Sequence, residues 1–229
     1  MNLGIVGYGK MGRLIEQLAP EYGFAVPLKL RRDTNADGTG ITAANFRGID
    51  AAVEFSVPAA AVGNIERLAA IGINVVAGTT GWFEQLEHVR KVVERAGTGL
   101  VWSPNFSAGV HAFLGIVAEA ARRLAAETEY GAWAWEIHHA AKKDAPSGTL
   151  LRLVEEMKRA GYARAVAVSS SRAGAHPGTH EIGFDSAADT ITLRHTARSR
   201  EGYARGALKA ARWLVGKKGL FAFHEIAFE

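Results

Sequence analysis

The sequence predicts an α/β fold: a parallel sheet with helices on both faces, followed by a smaller α+β block with a mixed sheet. Three observations carry this. Short apolar runs alternate with helical patterns from the amino terminus to Ser103. A glycine cluster, Gly7 to Gly12, lies between the first apolar run and the first helical pattern. Past Asn105 the alternation stops, and a long Ala-rich helical stretch leads into a strand, a helix and three successive strands. Strand and helix in alternation imply parallel βαβ units, whereas successive strands imply a separate sheet.

The first apolar run, residues 3–6, is short and continuous, as a strand buried on both faces should be. Residues 11–18 place apolar side chains at helical spacing. Strands are expected at 26–30, 51–55, 74–77 and 100–103, with helices at 59–70 and 83–96; in the latter Leu86, Val89 and Val93 repeat at helical intervals. In the second block, helices are expected at 108–126 and 147–160. Strands are expected at 133–138, 163–169, 181–184 and 190–195, with Trp133, Trp135 and Ile137 on one face of the first. A last amphipathic helix at 203–215 reads as a return to the first domain. The expected division is therefore 1–106 with 203–229 for one domain and 107–202 for the other.

Composition narrows the function. The 229 residues carry a net charge of +4 with Lys and Arg spread along the chain, and 48% are hydrophobic. That is ordinary for a soluble protein and gives no concentrated basic tract for nucleic acid. No cysteine is present, which excludes disulfides, thiolate nucleophiles and cysteine-ligated metal sites, and fits a reducing cytoplasm. No stretch reaches the roughly 18 apolar residues of a membrane span, and the amino terminus does not read as a signal peptide.

Gly7-Tyr8-Gly9-Lys10-Met11-Gly12 is G-x-G-x-x-G between an expected strand and an expected helix. In that setting the first glycine makes the turn, the second lets a pyrophosphate approach the backbone, and the third lets helix and strand pack closely. Free N–H groups at the helix start face the phosphates. The motif thus points to a Rossmann-type dinucleotide-binding domain, with Gly7, Gly9, Lys10, Met11 and Gly12 as cofactor residues. Strand two ends in Leu30-Arg31-Arg32-Asp33. Arg31 and Arg32 suit the 2′-phosphate of NADPH, whereas Asp33 keeps NADH open.

The segment from Glu136 to Thr149, E-I-H-H-A-A-K-K-D-A-P-S-G-T, gathers two imidazoles, ammonium groups and a helix start in a short span. Such a site can bind carboxylates and deliver a proton. Adjacent histidines on a strand point to opposite faces, and lysines repel a cation, so no metal is expected.

This string resembles the signature E-x-H-H-x-x-K-x-D-A-P-S-G-T of the 4-hydroxy-tetrahydrodipicolinate reductase family. Other segments agree in order: Gly78-Thr79-Thr80-Gly81, Ser103-Pro104-Asn105-Phe106-Ser107, Arg172-Ala173-Gly174 with Gly178-Thr179-His180-Glu181, and Gly219-Leu220-Phe221. The resemblance spans essentially the whole chain. It implies NAD(P)H-dependent reduction of a cyclic dicarboxylate in lysine and meso-diaminopimelate synthesis. His138 is implied as proton donor with Lys142 as its partner. His139, Lys142, Gly148 and Thr149 are implied to hold the substrate. Gly78, Thr80, Ser103, Asn105 and Phe106 are implied to line the cofactor. It further implies a homotetramer built through the second-domain sheet, and closure over ligand with hinges near 105–108 and 200–203.

Departures from the family are a brief segment between Leu30 and Asp50, Ala140-Ala141 in place of bulkier and often basic residues, and Val57 where some members carry Arg. Two other readings compete. A different NAD(P)-dependent reductase of similar plan would lack the histidine-pair signature, and a semialdehyde dehydrogenase would need a cysteine. A cofactor-binding regulator that lost catalysis would have no reason to keep His138, Lys142, Gly148 and Thr149 together.

Overall fold

The computed structural model describes residues 1–229. It forms two compact units, Met1–Ala108 with Glu201–Glu229, and Gly109–Arg200. In chain order the first stretch runs β1 (Asn2–Val6), α1 (Lys10–Leu18), β2 (Ala25–Leu30), β3 (Ala51–Glu54), α2 (Pro58–Ala70), β4 (Asn74–Ala77), α3 (Leu86–Ala96) and β5 (Gly99–Trp102). Next come α4 (Ala108–Arg123), β6 (Gly131–His138), α5 (Gly148–Arg159), β7 (Val166–Arg172), β8 (Thr179–Asp185) and β9 (Thr190–Thr196). The chain ends with α6 (Glu201–Leu214), β10 (Gly219–Ala222) and α7 (Phe223–Ile226).

The first unit is a parallel six-stranded sheet in the order β10-β5-β4-β3-β1-β2. Its inner strands β1, β3, β4 and β5 are buried on both faces, which is why β1 and β3 read as unbroken apolar runs, whereas the edge strand β2 keeps alternate residues exposed. Leu3, Ile5, Val53 and Val101 pack with Ile15 and Leu18 of α1 and with Leu208, Ala211 and Leu214 of α6. Ala52, Val75 and Leu100 pack on the other face with Ile65 and Leu68 of α2 and Val89 and Val93 of α3. A fully buried side chain of this size contributes roughly 1.5–3 kcal/mol. Strand order reverses at β1, which pairs with β2 on one side and β3 on the other; ligands of open α/β sheets bind beyond the strand ends at such a point.

Details differ from expectation. The helix expected at 83–96 begins as a 3-10 turn, Phe83–Gln85, and becomes α-helical only at Leu86. The short strand β10 and helix α7 were not expected; β10 has only four residues, too few to show a period. The brief segment between β2 and β3 holds no strand, yet its Ile41, Phe46 and Ile49 are buried against the sheet.

The second unit has a four-stranded mixed sheet, β7-β6-β8-β9, in which only β6 and β7 are parallel. Period two along β6 and β8 sends Ala134, Ile182 and Phe184 toward one face. There they meet Phe113 and Val117 of α4 and Leu150, Leu153 and Met157 of α5. Trp133, Trp135 and Ile137 alternate onto the opposite face. The Trp133 indole lies over Gly183, where a Cβ would fall 2.1 Å from the ring. No helix of the chain is long and apolar enough to cross a membrane.

Candidate functional site

In the first unit the glycine turn joins β1 to α1. The N–H groups of Gly7 and Tyr8 both donate to Leu30 O at 3.0 Å, and Phe55 N–H donates to Val6 O at 2.8 Å, so three strand ends converge on the turn. Gly7 has φ +95°, and a Cβ there would stand 2.2 Å from Phe55 O. Gly12 is buried, and its Cβ would stand 2.8 Å from Gly7 O. Gly9 differs: a Cβ would meet nothing within 4 Å. It is the N-cap of α1 and no side chain caps the helix, so first-turn N–H groups lack protein partners.

A cleft of about 380 Å³ opens at this point, lined by Gly9, Lys10, Met11, Phe55, Ser56, Pro58, Gly78, Thr79 and Thr80. It brings together five residues singled out from sequence: Gly9, Lys10, Met11, Gly78 and Thr80. The open space at Gly9, the uncapped helix start and the adjacent Lys10 ammonium fit a dinucleotide pyrophosphate. Gly78 lies under the Phe55 ring, where a Cβ would fall 2.1 Å from a ring carbon.

Sequence reasoning missed a buried carboxylate behind Ser56 of this cleft. Glu54 ends β3 with no exposed surface. Its Oε1 accepts from Ser56 Oγ, from Ser56 N–H at 3.2 Å and from Asn64 Nδ2 at 3.2 Å, and Ser56 N–H also donates to Thr79 Oγ1 at 2.8 Å. Burial pushes the Glu54 carboxyl above its ordinary range despite these bonds. The node ties the 55–58 segment to the 78–80 loop. Nothing in the sequence distinguishes this glutamate from a surface one.

Arg31 and Arg32 follow β2 and are exposed. The Arg31 guanidinium lies 5.2 Å from the centre of the Tyr8 ring, with Arg13 and Lys29 also over that ring at 5.8 and 5.9 Å. Asp33 is engaged in its own turn, accepting from Thr34 N–H at 3.0 Å. After β5, Ser103 Oγ donates to Asn105 O at 2.6 Å, and Asn105 Oδ1 accepts from Ser107 N–H at 2.8 Å, which fixes the loop. The Phe106 side chain is buried, its ring 6.2 Å from Phe55 and 4.9 Å from Phe223; only its backbone is available to a ligand.

The second unit collects the histidine-pair segment at the end of β6. Glu136 is fully buried. Its carboxylate accepts from His138 Nδ1, from Arg172 Nη2 at 2.8 Å and Nη1 at 3.0 Å, and from Ser147 N–H at 3.2 Å. Burial pushes Glu136 upward, but the Arg172 and His138 hydrogen bonds outweigh it and hold the carboxyl at about 2. Burial lowers the His138 imidazole, Lys142 and Arg172 lower it further, and Glu136 opposes them.

Lys142 Nζ holds Asp144 at 2.7 and 2.8 Å, and that bond lowers the Asp144 carboxyl. Gly148 and Thr149 open α5, and their N-cap Ser147 accepts from Leu150 N–H at 3.2 Å. His139 follows the strand end, where its carbonyl accepts from Lys142 N–H at 3.0 Å. His138 thus ends β6, His139 and Lys142 lie on the loop that follows, and Gly148 and Thr149 form the first turn of α5. His180, given only a structural role from sequence, is buried beside them: Nε2 lies 3.0 Å from Ser147 Oγ, and the ring stands edge-on to His138 at 5.1 Å. Burial and the nearby His138 lower it to about 4. Glu136 and Arg172 appeared in sequence motifs, but without a role.

Comparison with known proteins covers both units. The family model described as dihydrodipicolinate reductase, N-terminus, matches residues 1–106, and that described as dihydrodipicolinate reductase, C-terminus, matches residues 109–226. A 4-hydroxy-tetrahydrodipicolinate reductase of Christiangramia forsetii is 33% identical over 99% of this chain and 97% of its own length. One from Methanosarcina barkeri is 33% identical over 77% of this chain and 72% of its own. In fold, the chain is similar to a dipicolinate-bound dihydrodipicolinate reductase from Paenisporosarcina sp. TG-14, with TM-score 0.80 at 18% identity over 99% of each chain.

Proposed function

This chain belongs to the dihydrodipicolinate reductase family, and from that membership we infer that it catalyses the NAD(P)H-dependent reduction of 4-hydroxy-tetrahydrodipicolinate in lysine synthesis. The observation that carries this is coverage: both halves of the family match, and a relative of that name aligns over 99% of the chain.

The first unit is the cofactor domain. Gly9 leaves room for the pyrophosphate, the first N–H groups of α1 and the Lys10 ammonium answer its charge, and Gly7 and Gly12 shape the turn. Gly78 and Thr80 line the same cleft, and the Ser103–Asn105–Phe106 loop contributes backbone at the end of β5. When bound, the nicotinamide supplies the hydride. NADPH is the preferred form on this reading, supported by the exposed Arg31 and Arg32 after β2, cations suited to a 2′-phosphate, and by Asp33, which accepts from Thr34 N–H within its own turn.

The second unit is the substrate and oligomerisation domain. His139, Lys142 and the N–H groups of Gly148 and Thr149 bind the two carboxylates, orienting the ring. Lys142 exchanges Asp144 for a substrate carboxylate as it does so. His138 gives its proton to the ring carbon left electron-rich when the neighbouring atom is reduced, and Lys142 beside it favours that release. The sheet face carrying Trp133, Trp135 and Ile137, which no helix of its own unit covers, supports assembly into a homotetramer. The absence of cysteine supports a cytoplasmic setting.

A coupled assay tests the function. Dihydrodipicolinate synthase generates the unstable substrate from pyruvate and aspartate semialdehyde, and absorbance at the nicotinamide band is followed with NADPH and NADH in parallel. Synthase-dependent oxidation, faster with NADPH, is expected. No oxidation by folded protein that binds NADPH would overturn the proposal, and a tenfold kcat/KM advantage for NADH would overturn the cofactor preference.

A further inference from the structure

Glu136 is the most enclosed charged side chain of the second unit, and four donors converge on it. Oε2 receives His138 Nδ1 and Arg172 Nη1, and Oε1 receives Arg172 Nη2 and Ser147 N–H. The four donors come from three elements: His138 from the end of β6, Arg172, with two of them, from β7, and Ser147 from the N-cap of α5. Arg172 also donates to the carbonyls of Ser171 and Asp144. A carboxylate in this setting can only accept, and the paired guanidinium keeps it ionised. The hydrogen shared with the imidazole therefore sits on His138.

We propose that Glu136, clamped by Arg172, is a positioning residue for proton transfer: it fixes the hydrogen of neutral His138 on Nδ1 and makes Nε2 the atom that exchanges the catalytic proton. The proposal rests on the assignment of His138 as proton donor. The imidazolium gives its Nε2 proton to the electron-rich ring carbon, forming the C–H bond, and returns to neutral with Nδ1–H still held by Glu136. Solvent then restores the Nε2 proton.

The rest of the surroundings agree. Arg172 holds Glu136 well below the pKa of an imidazolium, so the carboxylate steadies the cation without taking its proton. The other charged or titratable groups facing His138 are Lys142 on the following loop and His180 on β8, and His180 is occupied with Ser147 Oγ. His138 Nε2 points to Gly178, where a Cβ would stand 2.8 Å away, so only a glycine at the start of β8 leaves this nitrogen room. The same carboxylate grips Ser147 N–H, and so sets the distance between the proton donor and the Gly148-Thr149 turn.

The test uses the full chain with 15N-labelled histidine. His138 is identified by the signal lost in His138→Gln, and its tautomer is read from the two ring-nitrogen shifts above its pKa. The expected wild-type result is a protonated Nδ1 and a bare Nε2. In Glu136→Gln the amide must present N–H to donors on one side, so the tautomer should shift toward Nε2–H. Its kcat should fall about 10²- to 10⁴-fold, with NADPH affinity unchanged and activity partly recovered in Glu136→Asp. A wild-type His138 carrying its hydrogen on Nε2 overturns the proposal, and needs no variant to fold. So does a Glu136→Gln enzyme with wild-type kcat and tautomer. The tautomer is read without substrate, so loss of the functional assignment, seen as a wild-type chain inert in the coupled assay, is a separate result.

Discussion

Replacing Gly9 with alanine separates cofactor recognition from folding. In the fold a Cβ at Gly9 meets nothing within 4 Å, and its φ of −96° lies outside the left-handed region. Alanine there should change stability by no more than about 1 kcal/mol, the net of a weaker N-cap and a stiffer unfolded chain. The methyl group would instead stand in the cleft, where the proposed function seats a phosphate against the N–H groups of α1. Loss of one charge-assisted hydrogen bond costs about 1.5–3 kcal/mol, so Kd for NADPH should rise about tenfold to a hundredfold. Gly7→Ala is the contrast: φ is +95° and the Cβ would lie 2.2 Å from the Phe55 carbonyl oxygen, so the fold itself should suffer. Thermal denaturation and NADPH fluorescence titration on both variants decide the matter. Wild-type NADPH affinity in Gly9→Ala, or a melting temperature as low as that of Gly7→Ala, would refute the reasoning.

Three further outcomes are expected. His138→Ala should lower kcat about 10²- to 10⁴-fold while changing KM far less, measured in the coupled assay; an unchanged kcat would remove the proton-donor assignment. His138 lies below its ordinary 6.5 in the free chain, so it is neutral at pH 7. A planar dicarboxylate such as dipicolinate should raise it on binding, take up a proton, and bind more tightly as pH falls toward 6. Calorimetric heats that do not vary with buffer ionisation enthalpy would contradict this. His180 has a folded value of about 4 against 6.5 unfolded. Its contribution, at most about 3 kcal/mol, is fully present above pH 6.5 and is lost as pH falls from 6.5 through 4. His180→Gln should flatten that part of the stability–pH curve, and an identical slope would argue against it.

The parallel sheet was legible because its inner strands are buried on both faces and its helices have one wet side, so period and composition both speak. The turn from Gly7 to Gly12 was legible because each glycine answers a separate steric demand, and the structure places a backbone oxygen against two of the three. Glu54 and Glu136 were not legible as buried nodes. A carboxylate is buried only when donors from other segments reach it: Asn64 for one, Arg172 and Ser147 for the other. One sequence shows no such convergence. Phe106 shows the opposite limit, since its motif position suggested a ligand contact while its ring packs between Phe55 and Phe223.

The first unit is split in sequence: β1 to β5 precede residues 109–200, while α6 and β10 follow them. As the chain leaves the ribosome, the segment that emerges first is therefore completed last. Until residues 201–222 are out, β5 is an open edge, and Leu3, Ile5 and Val53 lack the α6 side chains that cover them. The second unit, continuous from Gly109 to Arg200, has all its strands in hand by then. Synthesis thus leaves a half-built nucleotide fold waiting on its carboxyl-terminal residues. A nonsense codon between Arg200 and Leu214 would release a chain with its inserted unit intact and its first unit without the α6 cover and the β10 edge.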